Sequence, residues 1–259
     1  MLNEILLAIE IVGVISFAVA GAIVAIDKET DIFGVVFLAL MTCFGGGIIR
    51  DITIGRNPPA FFRELTYQAL IGFAVAILVF ILARVFKNQY IGREKQVLAV
   101  NNYIDALAIG IFSVSGVQTC IDFFASKGES AGFLLCATLG MMSAVGGGMI
   151  RDLILRDIPF ILRKRVYALA ALTGAMAYYL LVVVIFPGNL VAEVISQVSC
   201  IALVVLIRIL ATRFKWNLPK AIKFSEIKKE EEKKPVTWEV TDPKPPVIQS
   251  GHMENKRQK

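Results

Sequence analysis

Apolar residues along this chain come in runs long enough to cross lipid. A helix rises 1.5 Å per residue, so a hydrocarbon core of ~30 Å takes about 20 residues. Seven such runs occur, near 5–26, 31–53, 65–86, 98–122, 131–154, 165–187 and 190–212. The breaks between them are short and carry Lys, Arg, Asp, Asn and Pro, which leaves no room for a soluble domain before residue 213. Residues 1–213 are therefore predicted to form an all-α membrane domain of seven transmembrane helices. Ala18-Val19-Ala20 resembles a signal-cleavage site, but no basic residue precedes the first run, Glu4 and Glu10 interrupt it, and a related segment recurs further on, so it is read as a retained span. Beyond residue 213 the chain turns to KKEEEKK and then KPVTWEVTDPKPPV, with four prolines in the latter stretch. Mixed charge with scarce apolar residues cannot bury enough surface to fold, so 214–259 is predicted to be a disordered charged tail.

One pattern occurs twice. GGGIIRD at 45–51 returns as GGGMIRD at 146–152, an offset of 101, and Pro58 matches Pro159 at the same offset. Upstream, Glu10, Phe17, Gly21 and Asp27 match Asp105, Phe112, Gly116 and Asp122 at an offset of 95, so six extra residues lie between Asp122 and Gly146. Repeat one spans 5–86, repeat two spans 98–187, and the seventh helix, 190–212, stands outside both. Each repeat has an odd number of spans, so the second enters the membrane upside down relative to the first. Inverted three-helix repeats of this kind are an architecture of membrane transport proteins.

Composition agrees: 56% of residues are hydrophobic, 19% are charged, and the mean hydropathy is +0.69. The formal charge of +6 divides into +4 from the tail and +2 from the body, whose arginines sit between apolar runs and form no basic stripe for nucleic acid. Lys28, Arg84, Lys87, Arg93, Lys95, Arg151, Arg156, Arg163, Lys164 and Arg165 fall on the side that also holds the tail; the other side has Arg50, Arg56, Arg63 and Lys127. The excess predicts a cytoplasmic C-terminus and an outward N-terminus in the cell's inner (plasma) membrane. Arg213, Lys215, Lys220 and Lys223 at the tail's start suit anionic lipid headgroups or serve as a solvated stop signal, and no partner for the tail is evident. The one histidine, His252, lies in the tail, which removes the material for histidine-based hydrolysis or a histidine metal cluster; no enzyme activity, cofactor or resident metal is expected. Cys43, Cys120, Cys136 and Cys200 lie in or at the ends of apolar runs without paired spacing and read as buried free thiols.

The candidate chemistry lies in the duplicated motif. Consecutive glycines in a spanning helix favour a kink or an unwound stretch, which lipid tolerates only where protein or water satisfies the freed backbone. Gly45, Gly46, Gly47 and Gly146, Gly147, Gly148 are thus candidate path-lining kinks, with close helix packing as the alternative. Arg50, Asp51, Arg151 and Asp152 follow them. Adjacent helical residues point about 100° apart, so the arginines' partners are expected on other helices. Glu10 and Asp105, equivalent acids within apolar spans, are either those partners or protonatable coupling sites. Asp27 and Asp122 read as helix-end or vestibule charges. Ser16, Thr42, Ser113, Ser115, Gln118, Thr138 and Ser143 add polar groups that line a wet path or bond back to their own helices.

The doubled motif, the inverted repeat and the seventh helix resemble the prokaryotic trimeric intracellular cation (TRIC) channels, a sequence domain also labelled glycine-transporter-like. The resemblance covers about residues 5–213. It implies a homotrimer with one pore per subunit, a path between the second and fifth helices gated at the glycine triplets, and K⁺ as the permeant ion. The other function classes are a secondary carrier of a small solute such as glycine, coupled through Glu10 or Asp105, and a structural membrane scaffold.

Overall fold

A computed structural model describes residues 2–63, 66–163, 166–214 and 216. The tail expected to be disordered lies outside the described residues apart from Phe214 and Trp216, and so do Lys164 and Arg165. In chain order the helices are α1 (Leu2–Asp27), α2 (Ile32–Thr53), α3 (Ala60–Arg63), α4 (Thr66–Val85), α5 (Lys87–Gly92), α6 (Glu94–Ser126), α7 (Phe133–Ile154), α8 (Phe160–Arg163), α9 (Val166–Tyr179, continuing with π-helical bonding through Leu180–Ile185) and α10 (Leu190–Arg213). Seven helices among the described residues are long and apolar enough to span a membrane, and they fall on the seven predicted runs. The fold is all-α, as the apolar runs require.

The two repeats correspond in element order, α1 to α4 with α6 to α9. The six extra residues of repeat two divide in two ways. Helix α6 runs four residues past Asp122, the equivalent of α1's last residue, and the following loop has six residues where the first repeat has four. One added turn plus two loop residues closes the difference. Asp122 therefore sits inside its helix, where Gln118 donates to it at 2.9 Å, and does not end it as expected.

Helices α2 and α7 stop in the same way. The Arg56 amide bonds to the Asp51 carbonyl at 2.8 Å, and the Asp157 amide to the Asp152 carbonyl at 2.9 Å. Such six-to-one bonds need a left-handed residue just before the donor. Gly55 supplies it at φ 75° and Arg156 at φ 57°. Beyond this stop the offset falls to 100. The Phe62 amide bonds to the Pro59 carbonyl and the Leu162 amide to the Pro159 carbonyl, so Pro159 corresponds structurally to Pro59 and not to Pro58.

At the centre of the molecule α2 packs on α7 more extensively than any other pair of described elements. Around this pair lie three apolar clusters. The largest joins Val14, Phe17, Phe44, Ile109, Tyr167 and Val204, side chains from both repeats and from α10. Phe17 stacks on its own repeat partner, Phe112, with ring centroids 5.0 Å apart. Helix α10 begins on an Asn189 cap, whose side chain accepts from the Val191 and Ala192 amides, and packs against α6 and α9 of repeat two.

Candidate functional site

The glycine triplets meet each other. A Cβ at Gly46 would overlap the Ser143 carbonyl oxygen, and a Cβ at Gly147 would overlap that of Thr42. Ser143 is Thr42's repeat partner, as Gly147 is Gly46's, so the contact is reciprocal: each helix offers glycine where the other offers backbone. The partner position falls as the residue number rises, so the helices cross running in opposite directions. Gly21 of α1 lies against Thr42 and Ala39, and Gly116 of α6 against Ser143 and Gly140, extending the same symmetry outward.

Both helices keep α-helical hydrogen bonding through their triplets, and the expected unwinding is absent. The physical reason is the crossing itself. Space left by the missing side chains is filled by the other helix's backbone, so the first two glycines of each triplet are buried in close packing and have no freed amides to satisfy. The third glycines differ. A Cβ at Gly47 would meet only the end of Arg50, at 3.8 Å, whereas one at Gly148 would touch the Tyr167 hydroxyl at 3.4 Å.

Each motif arginine pairs with its own neighbour. Arg50 donates from Nε to Asp51 at 2.9 Å and lies 2.8 Å from it through Nη2; Arg151 does the same to Asp152 at 2.9 and 2.7 Å. This corrects the expectation that their partners lie on other helices. The long arginine stem curls back along the helix far enough to overcome the angular separation. In repeat one the Ala60 amide also donates to the Asp51 carboxylate at 2.8 Å, which fixes it after the turn. Arg50, Asp51, Arg151 and Asp152 are all buried.

Glu10 and Asp105 are consequently not the partners of Arg50 and Arg151, and here the symmetry breaks. Asp105 pairs with Arg208 of α10 at 3.0 Å and accepts from the Tyr167 hydroxyl at 3.4 Å, while the Arg208 guanidinium lies over the Tyr167 ring, 4.3 Å from its centroid. Glu10 has no ion pair among the described residues. It accepts from the Ser115 hydroxyl at 2.9 Å and from the Gln68 amide nitrogen at 3.4 Å. Tyr67, equivalent to Tyr167 at the offset of 100, is 44% exposed where Tyr167 is 3% exposed.

Beside Glu10 lies a partly open cavity of about 200 Å³, lined among others by Gly47, Arg50, Asp51, Gln68, Ser115 and Thr119. It sits at the end of α2, and the Asp105 cluster sits at the end of α7. Because α2 and α7 cross antiparallel, these two polar clusters lie towards opposite ends of the bundle. Other polar residues are inert by comparison: Ser16, Thr42 and Thr138 donate to carbonyls four residues back on their own helices. Arg208, Tyr167 and Gln68 were missing from the sequence-derived site. A lone arginine in the apolar run VVLIRIL was the available signal for Arg208. The four cysteines are free and buried, with Cys120 and Cys136 in hydrogen-bonding contact.

A family model described as Glycine transporter matches residues 7–84 and 102–182, one stretch in each repeat. The inner membrane protein YadS of Escherichia coli K12, of the UPF0126 group, is 32% identical over 82% of this chain and 93% of its own length. The chain belongs to this family. A UPF0126 membrane protein of Deinococcus radiodurans is 36% identical over 67% of this chain and 74% of its own length. Among solved structures, a prokaryotic TRIC channel crystallised in 0.5 M KCl has a TM-score of 0.69 at 28% identity, covering 83% of this chain and all of that one. This UPF0126 chain is therefore built on the TRIC fold.

Proposed function

We propose that the protein is a cation channel of the inner membrane, conducting K⁺ through one pore per subunit of a homotrimer. The observation that carries this reading is the reciprocal crossing of α2 and α7 at their glycines, flanked by polar clusters towards opposite ends, in a chain that shares the fold of a TRIC channel along 83% of its length. A path running beside the crossing would enter through the Glu10 cavity and leave past Asp105. In the conformation described the crossing is closed by backbone packed on backbone. Opening then requires α2 and α7 to slide or separate at Gly45, Gly46, Gly146 and Gly147, where no side chains interlock. Gly47 and Gly148 lie on the side chains' edge of the crossing, next to Arg50 and Arg151. With those arginines paired to Asp51 and Asp152, and Asp105 paired to Arg208, Glu10 is the acid left to attract a cation. The N-terminus would face outward and the C-terminus the cytoplasm.

Electrical recording of the purified full chain in a planar bilayer under a KCl gradient tests the reading. Unitary steps reversing near the K⁺ equilibrium potential are expected. A silent bilayer combined with saturable uptake of a small solute by the same preparation in vesicles would overturn it in favour of a carrier, with Glu10 as the coupling acid.

A further inference from the structure

The fold contains one acid site twice and neutralises it once. In repeat two, α10 brings Arg208 to Asp105, and Tyr167 closes over the pair. Among the described residues no helix stands in the corresponding place in repeat one, and Glu10 has only neutral partners there, Ser115 and Gln68. Gln68 spends its amide nitrogen on Glu10 and on the Tyr67 hydroxyl, at 3.4 and 3.2 Å, and its carbonyl oxygen accepts no hydrogen bond among the described residues. Of the cations lining the same cavity, Arg50 is matched by Asp51 at 2.8 Å. Arg56 also borders the adjoining pocket that contains Asp122.

An ionised carboxylate inside a membrane domain is costly unless paired or hydrated. Here the missing charge has a place to stand: about 200 Å³ of space, lined in part by oxygen-bearing side chains, Glu10, Gln68, Ser115 and Thr119 among them, and in part by apolar side chains and by Arg50 and Arg56. At ~30 Å³ per water that volume holds a small ion with several waters. Carboxylate, amide carbonyl and hydroxyl oxygens are ligands for hard cations, and a single net carboxylate charge matches a monovalent one.

We propose that the Glu10 cavity is a binding site for a monovalent alkali cation, which takes in repeat one the place that the Arg208 guanidinium takes in repeat two. Its ligands are the Glu10 carboxylate, the Gln68 carbonyl oxygen, and the Ser115 and Thr119 hydroxyls, completed by water. The choice of ion rests on the channel reading; the site itself rests on the unmatched charge and the cavity.

The test is thermal unfolding of the detergent-solubilised full chain in KCl against N-methyl-D-glucamine chloride at equal ionic strength. Binding to the folded state raises the midpoint by mass action, by about 3 °C when K⁺ is tenfold above its dissociation constant. Glu10→Gln is expected to abolish that difference and Glu10→Asp to keep part of it. An equal K⁺ effect in Glu10→Gln, or none in the wild type, overturns the proposal. A second measurement needs no variant: a hydrophobic carbodiimide should label Glu10 in the wild type, as read by mass spectrometry, and K⁺ should suppress the adduct where N-methyl-D-glucamine does not. Labelling of Glu10 that ignores K⁺ overturns the proposal as well. Neither measurement involves flux, so a silent bilayer with an intact K⁺ effect would sink the channel reading and leave the site standing.

Discussion

Arg208 holds a costly position inside the bundle. Its side chain is 6% exposed and that of Asp105 is 13% exposed, and each is the other's only opposite charge at salt-bridge distance among the described residues. Removing one member strands the other in a dry interior, which typically costs about 3–5 kcal/mol, whereas removing both restores much of the loss. Arg208→Met is accordingly expected to lower the thermal midpoint steeply or prevent accumulation in the membrane, and Arg208→Met with Asp105→Asn to recover most of the wild-type midpoint. Equal losses in the single and double variants would show that the pair is not what Arg208 contributes. The sequence displayed the arginine but not its acid, because a separation of 103 positions is bridged only by packing.

Glycines at the α2–α7 crossing divide by what a methyl group would strike. At Gly46 and Gly147 it strikes backbone, which cannot swing aside; at Gly47 it meets only the flexible end of Arg50 at 3.8 Å. Gly46→Ala is expected to force the helices apart, with a cost of about 1–3 kcal/mol from overpacking, and to change the open probability in the bilayer. Gly47→Ala should leave the thermal midpoint unchanged or slightly raised, since alanine is the better helix former. A Gly46→Ala protein as stable as the wild type would mean the crossing is looser than described. The spans themselves were legible, because the length of an apolar run is a local property that lipid thickness reads directly. Unwinding at the triplets was a local inference too, and it failed because the decisive partner is another helix. The Arg50–Asp51 pair was misjudged for a related reason: helical angles describe where side chains start, not how far an arginine stem reaches. Neither the added turn of α6 nor the change of offset near Pro59 leaves a mark in hydropathy, so both became visible only in the fold.

The charge asymmetry of the whole molecule is a prediction about its orientation. Lys28 at the end of α1 pairs with Asp157 after α7 at 2.7 Å, so these two turns share one face of the bundle, the face that carries the excess of basic residues. With the native cysteines replaced, a cysteine at Glu129 should react with a membrane-impermeant maleimide in intact cells, and one at Asn88 only after permeabilisation. The reverse pattern would invert the topology and, with it, the face on which the Glu10 cavity opens.

At the crossing, Gly46 lies on Ser143 and Gly147 on Thr42, and each contact is the other read in reverse. That is the form of an isologous interface, the kind found between two identical subunits related by a two-fold axis. A single chain has no need of such reciprocity, whereas a half-length ancestor that inserted in both orientations and dimerised would have no choice about it. On this view the central contact of the present protein is an old subunit boundary sealed by gene fusion. After fusion the two halves were free to diverge, and the pairing of Asp105 with Arg208 of α10, which Glu10 lacks, is one place where they did.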